Sequence, residues 1–555
     1  MIHQYKLNDY NIVLDINSAS VHVTDEAAYD AIGLLDKELS DTASLCCGQA
    51  GDDGTERGAK AGVRNIPDSA VGFSPEEIVG LLPKISGRLR ALHPELSDME
   101  ITETFSDIKE LIEAETLFSR DAYRGLAFDL KKRNTVIKAL CLLVSHSCNL
   151  NCDYCFAAQG KFKGKAGLMS FETGKRALDF LVEYSGDRRN LEVDFFGGEP
   201  LLNFEVCKQL VAYARSIEKE KNKNFRFTLT TNGIGITDEV IEWANKECYN
   251  VVLSLDGRKE VNDRFRVDLS GEGSYERIVP KFQEFVKRRG GRGYYIRGTY
   301  THLNTDFTRD IFHMADDLGF TELSMEPVVC AADVSAADQM TGAESCSSAD
   351  KVIGAEGCSS TDKAIEAESC SFADGENPAA GGISSTERTA LTKEDLPVLK
   401  EQYEILAKDM IRRRREGKPI TFYHYMLDLE EGPCIYKRIS GCGAGTEYLA
   451  VTAWGELYPC HQFVNDPGYK LGNIWDGLDN EALREEFKLC NVYAKPECKD
   501  CWARLYCAGG CSANALHATG DIHGAYELGC ELFKKRIECA LMMKVDEECS
   551  GAREF

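Results

Sequence analysis

Ser145-His146-Ser147-Cys148-Asn149-Leu150-Asn151-Cys152-Asp153-Tyr154-Cys155-Phe156-Ala157 is the stretch on which the fold turns. Three thiols in a Cys-x3-Cys-x2-Cys loop suit three irons of a cubane and leave the fourth iron without a protein ligand. A zinc site closes with four ligands and a thioredoxin-like site needs two cysteines, so this spacing points away from both. The plainer alternative is three free thiols in an apolar turn. Against it stand Phe195-Phe196-Gly197-Gly198-Glu199-Pro200, Thr230-Thr231-Asn232-Gly233 and Ser254-Leu255-Asp256-Gly257, each closing a short apolar or aromatic run.

In order and spacing these motifs resemble the radical S-adenosylmethionine superfamily. The resemblance implies a [4Fe–4S] cluster on Cys148, Cys152 and Cys155 whose open iron chelates S-adenosylmethionine, and a 5′-deoxyadenosyl radical from its cleavage. It also implies Tyr154 near the adenine, and Gly197, Gly198 and Glu199 at the amino group. Ser254 and Arg266 would hold ribose and carboxylate, with Arg297 a further carboxylate candidate. Alone, Gly-Gly-Glu-Pro could be an ordinary strand-to-helix turn and Arg266 a solvated cation.

The runs 139–145, 191–196, 225–230, 250–255, 294–300 and 323–327 read as strands alternating with amphipathic helices, which predicts an α/β fold, a partial (β/α)6 TIM barrel spanning 135–330. The motifs fall at strand carboxyl ends, where such barrels place their sites. Residues 331–390 lose periodicity and repeat every 12 residues around Cys346, Cys358 and Cys370. With almost no apolar face to stack, they read as a disordered insertion rather than a solenoid; a metal or redox tail is the weaker alternative.

Ahead of the barrel, residues 10–24 alternate around Asn17-Ser18-Ala19-Ser20 and predict a hairpin with Ile12, Leu14, Val21 and Val23 in its strands. A helix is expected from about Asp25, and 38–72 reads as a disordered insertion. Ser74-Pro75-Glu76-Glu77 is a capping box opening a helix through Leu82, and Ile108, Leu111 and Ile112 suggest another. Hairpin plus helices suggest a small winged-helix module over 1–120. In front of a radical enzyme it resembles a RiPP recognition element, which captures a precursor's leader by β-augmentation; a structural cap without ligand is the alternative.

The 555 residues imply two to four domains. A net charge of −25 argues against a nucleic-acid groove. No run approaches a membrane span and Met1–Lys6 lacks a signal peptide's apolar core, so the expected location is cytoplasmic. The 23 cysteines, many at metal-like spacings, suggest an intracellular iron–sulfur protein rather than a disulfide scaffold.

A second constellation occupies 391–545: Cys442, Cys460 five residues after Gly455, Cys498-x2-Cys501-x5-Cys507-x3-Cys511, and Cys530. It keeps a SPASM pattern; half of a zinc ribbon would leave most of these thiols without use. The resemblance implies two auxiliary [4Fe–4S] clusters, three in all. One takes Cys442, Cys460 and Cys511, with Cys434 as a candidate fourth ligand, and the other Cys498, Cys501, Cys507 and Cys530. If Cys434 does not bind, an open iron could hold a substrate thiolate. Sulfatase-maturing relatives carry an aspartate base where His461 stands here; His461 is the candidate base, or a hydrogen-bond donor to a cluster sulfur. Cys141, Cys207, Cys248, Cys330, Cys490, Cys539 and Cys549 read as core or surface thiols, and His146 as structural.

Residues 1–15, Val136–Cys141 and Gly441–Tyr448 are similar to the SCIFF peptide maturases, radical SPASM enzymes of a short six-cysteine peptide. The similarity implies a Cys-to-Cα thioether crosslink, a cysteine-rich precursor peptide as partner, and an external one-electron reductant of flavodoxin or ferredoxin type. The rivals are another radical modification, such as a sulfatase-type oxidation, and a non-catalytic iron–sulfur carrier or peptide-binding scaffold.

Overall fold

The computed structural model describes residues 1–47, 73–129, 136–329, 389–427 and 434–551. The insertion expected at 331–390 therefore lies outside the described residues up to 388, as do its repeat cysteines, Cys330 and the stretch 48–72.

The hairpin forms in the expected register. Strand β2 (Tyr10–Asp15) pairs antiparallel with β3 (Val21–Thr24), placing Ile12 opposite Val23 and Leu14 opposite Val21. Asp15 shapes the turn by accepting the backbone N–H groups of Asn17 (3.1 Å) and Ser18 (2.9 Å). A further strand, β1 (Ile2–Leu7), lies on the other side of β2. Its half-polar run carries little alternation, which is why the hairpin alone was legible.

Helix α1 (Glu26–Cys47) runs ten residues into the segment expected to be disordered. No glycine or proline interrupts the chain between Gly33 and Gly48, and Leu35 and Leu39 are buried one turn apart. The Ser74 capping box forms with both reciprocal bonds. Its helix α2 (Pro75–Val79) ends before Leu82, however, and α3 (Leu82–Leu92) starts afresh. Gly80 folds its N–H back onto Glu76 and Ile78, and Pro83, which has no N–H, suits the first turn of a new helix. With α4 (Asp98–Glu113) these helices bury Ile32, Leu35, Ile85, Leu89, Ile108 and Ile112 against Val13.

The central sheet carries six parallel strands in consecutive order: β4 (Ala139–Ser145), β5 (Asn190–Gly197), β6 (Asn224–Thr231), β7 (Cys248–Ser254), β8 (Tyr294–Tyr300) and β9 (Glu322–Pro327). Helices such as Phe171–Tyr184 and Phe204–Lys221 cross between them. Every residue of β4 is buried, as expected for an inner parallel strand covered on both faces. In the core Phe195 stacks on Phe227 with centroids 5.5 Å apart, each ring contributing about 1.5–3 kcal/mol through burial.

The cysteine-rich C-terminal region shares this sheet. β10 (Thr421–Phe422) adds in parallel to β9, and β11 (Tyr448–Val451) in parallel to β4. Antiparallel β12 (Glu456–Tyr458), β13 (Gly472–Asn473) and β14 (Gly477–Leu478) complete eleven strands. The pairing of β11 with β4 sets the second cysteine region beside the strand that launches the first cysteine loop.

The C-terminal helix Glu527–Gly551 binds the N-terminal sheet. His3 lies flat on Trp502 (3.7 Å between centroids) with Nε2 3.0 Å from Glu538, while Leu14 and Ile16 pack with Ile537 and Leu541. The fully buried Arg504 donates to the Asn17 side chain at 2.5 Å and pairs with Asp121 at 3.2 Å. Among the described residues no helix is long and apolar enough to cross a membrane.

Candidate functional site

The loop leaving β4 is held from below and from the side. His146, completely buried between Phe162 and Trp454, accepts the Ala453 N–H through Nε2 at 3.3 Å. Burial lowers its pKa to about 4, so it is neutral and structural. Asn151 N–H bonds the Val267 carbonyl at 2.7 Å and Asp153 N–H the Phe265 carbonyl at 3.3 Å, tying the loop to the segment that bears Arg266.

One cavity of about 300 Å³ collects Cys148, Cys152, Cys155, Tyr154, Gly197, Gly198, Glu199, Ser254, Arg266, Arg297 and His461. The strands bring these residues together from distant points of the chain by ending at the same rim of the sheet. Burial pushes the Cys148 thiol up to about 11 and Cys152 to about 12, with neighbouring thiols adding to the shift: Cys155 at Cys148, and Cys155 and Cys148 at Cys152. Among the described residues no three His, Cys, Asp or Glu side chains converge as for a single metal ion. Thiolates bound to different irons of a cluster need not share such a point, so three thiols around one glycine-lined cavity fit a cubane.

The Gly-Gly turn is required sterically. Gly197 has φ +131°, and a Cβ on Gly198 would run into the Ser147 carbonyl. Gly198→Ala is expected to cost about 1–3 kcal/mol by overpacking and to impair loading of the cysteine loop, read by thermal unfolding and by iron content.

Glu199 is buried and fastened: its carboxylate accepts Leu201 N–H (3.0 Å), Asn232 N–H (2.8 Å) and the Thr231 hydroxyl (2.8 Å). Burial raises its pKa, which these donors oppose. Arg266 is likewise engaged, its Nε 3.0 Å from Asp256, which also takes the Tyr154 hydroxyl. His461 has its Nδ1 3.5 Å from the Tyr448 hydroxyl and is flanked by Phe196 and Phe156. Burial, aided by Arg297, lowers its pKa to about 4, leaving it neutral.

Three contributors carried no assignment from sequence: Asn232, whose side chain reaches Cys148 Sγ (3.6 Å) and Asn149 (2.8 Å); Asp256; and Glu326, in the cavity wall. The first two sit inside quoted motifs. Glu326 closes an apolar strand just before Pro327, a polar residue at a barrel strand's carboxyl end, which was the signal available.

The other thiols form two neighbourhoods. Cys460 feels Cys511 and Cys442 after burial itself, and Cys511 feels Cys442. Cys507, raised to about 12 by burial, feels Cys530, Cys498 and Cys501. Cys434 is exposed at the start of helix Ile435–Ser440.

Residues 142–288 match the model of the radical SAM superfamily, and 442–502 that of the SPASM iron-sulfur cluster-binding domain. The chain carries a radical SAM domain and a SPASM domain. It is 34% identical to an uncharacterised protein of Methanocaldococcus jannaschii over 25% of this chain and 45% of that one. It is 23% identical to a serine-type anaerobic sulfatase-maturating enzyme of Bacteroides thetaiotaomicron, over 67% of this chain and 82% of that one. Alignments with three curated relatives span only 45%, 39% and 36% of those proteins' lengths. The solved structure of native anSMEcpe with bound AdoMet and Cp18Cys peptide superposes with a TM-score of 0.55 at 20% identity, covering 74% of this chain and 99% of that one. The radical SAM domain thus contributes the cysteine loop, the Gly-Gly turn and Ser254, while the SPASM domain inserts His461 into the same cavity.

Proposed function

We propose that this chain is a radical S-adenosylmethionine peptide maturase that forms Cys-to-Cα thioether crosslinks in a cysteine-rich precursor of the SCIFF type. The observation that carries the reading is the meeting, in one cavity, of the three-thiol loop, the Gly197–Gly198 turn and a SPASM-domain residue, His461. The motifs at 1–15, 136–141 and 441–448 direct it to SCIFF peptides. A structural neighbour that holds both AdoMet and a peptide supports the same partners.

In this reading a [4Fe–4S] cluster on Cys148, Cys152 and Cys155, with S-adenosylmethionine, supplies the 5′-deoxyadenosyl radical. The chain's residues bind and orient. Gly197 and Gly198 admit the amino group at their backbone, and Glu199, whose Oε1 takes two donors and Oε2 one, fixes the turn and keeps one acceptor site for that group. Tyr154 and Ser254 face the nucleoside. Asp256 holds Tyr154 and Arg266 in place, and Asn232 steadies Cys148. His461, neutral and walled by aromatic rings, is available to take a proton from the peptide. The two remaining thiol neighbourhoods hold the auxiliary clusters. β3, an edge strand among the described residues, offers its outer side to a leader by strand addition.

Anaerobic co-expression with the cysteine-rich peptide encoded nearest to the chain tests this. After thiol alkylation the peptide should have lost two hydrogens, with one cysteine protected. An unchanged, fully alkylated peptide from a cluster-replete protein would assign another substrate or reaction.

A further inference from the structure

Arg297 and Glu326 stand diagonally on β8 and β9, since Arg297 pairs with Ser324 and Thr299 with Glu326, so both point to the same face. Both line the cavity. Arg297 Nη2 is 3.9 Å from Glu326 Oε1, too far for a hydrogen bond. Their side chains remain 45% and 31% exposed, unlike Glu199, held by three donors, and Arg266, set on Asp256.

Glu326 is held at one oxygen by the cavity wall. His424 Nε2 lies 3.3 Å from its Oε1, and His424 Nδ1 lies 3.4 Å from the guanidinium of Arg536 on the C-terminal helix. Arg536 is itself buried and held by the Tyr403 hydroxyl at 2.7 Å, which meets Tyr300 at 2.8 Å. Arg297 stands beside this carboxylate and Arg536 behind His424, so a cationic ligand group would add repulsion. The complementary visitor is a neutral group with one acceptor and one donor side by side.

A residue in extended conformation has that pattern, because its own N–H and C=O flank the Cα and point to the same side. We propose that Arg297 and Glu326 clamp the extended backbone of the substrate residue that is oxidised: that residue's own C=O accepts from Arg297 and its own N–H donates to Glu326. The clamp rests on the crosslinking reading above. It would fix the Cα hydrogen without contacting the side chain, so positioning would not depend on which residue is the acceptor.

The test uses the full, reconstituted chain and a peptide deuterated at Cα, and reads the fraction of 5′-deoxyadenosine that carries deuterium, together with the KM for S-adenosylmethionine. In Glu326→Ala and Arg297→Ala the labelled fraction should fall about 10-fold, the loss expected when a hydrogen bond to a charged group is removed. The KM for S-adenosylmethionine should stay unchanged. Glu326→Gln, which keeps a carbonyl acceptor, should recover most of the labelling and serves as the well-folded control. A raised KM for S-adenosylmethionine with labelling intact would overturn the clamp by assigning the pair to the cosubstrate, and so would labelling unchanged in all three variants. Wild-type protein that cleaves S-adenosylmethionine but transfers no deuterium would instead refute the Cα-crosslinking reading, and the clamp with it.

Discussion

Cys152→Ala is expected to abolish reductive cleavage of S-adenosylmethionine, with a loss of at least about 100-fold. Removing a partner one shell away from a metal already costs about 10- to 100-fold, and Cys152 is a proposed ligand itself. The variant should still fold, because Cys152 is only half-buried in a loop whose backbone is held by Val267 and Phe265. It should also keep the proposed auxiliary clusters, since their thiols form separate neighbourhoods between Cys442 and Cys530. Iron analysis should therefore show about four fewer irons per chain, one cubane's worth. 5′-deoxyadenosine, followed by chromatography, should fall to background. Cleavage at the wild-type rate would mean that the cavity is not the radical SAM site.

The largest effect on stability is expected at Arg504. This side chain, 1% exposed, lies between Cys501 and Cys507 in sequence yet pairs with Asp121 and donates to Asn17, in the turn that leads into β3. Arg504→Ala leaves a buried gap and takes one partner from Asp121, which keeps Tyr493 and Arg124, so the expected loss is about 3 kcal/mol, the low end for breaking a buried pair. Arg504→Lys should recover only part of it, because an ammonium cannot span both partners as a planar guanidinium does. Denaturant unfolding measures the loss. Hydrogen exchange should show the added opening at residues 14–20 and 117–121, where the N-terminal sheet meets the SPASM domain, rather than in β4–β9. Unaltered exchange there would show that other contacts, such as His3 on Trp502, carry the docking.

All six barrel strands were legible because each is a short run with apolar residues either continuous, as in β4, or alternating, as in β5, β6 and β8, and the motifs at their ends marked the rim. The site's members were legible as motifs, but their division of labour was not. Glu199 and Arg266 read as free ligand-binding groups; the fold gives one to backbone donors and the other to Asp256, contacts that close only between distant segments. β10 to β14 are two to four residues long, too short for any period to declare itself. Their pairing onto β9 and β4 follows from tertiary packing. The helix through Cys47 went unread because its last turns carry a composition like a linker's, and propensity alone decides little there.

The decisive measurement is the product of S-adenosylmethionine after anaerobic reconstitution of the intact chain with iron and sulfide and reduction with dithionite. 5′-Deoxyadenosine and methionine are expected in equal amounts, lost on substitution of Cys148, Cys152 or Cys155. A chain that carries its full complement of clusters and leaves S-adenosylmethionine intact would contradict this expectation, and would make the protein an iron–sulfur carrier or scaffold.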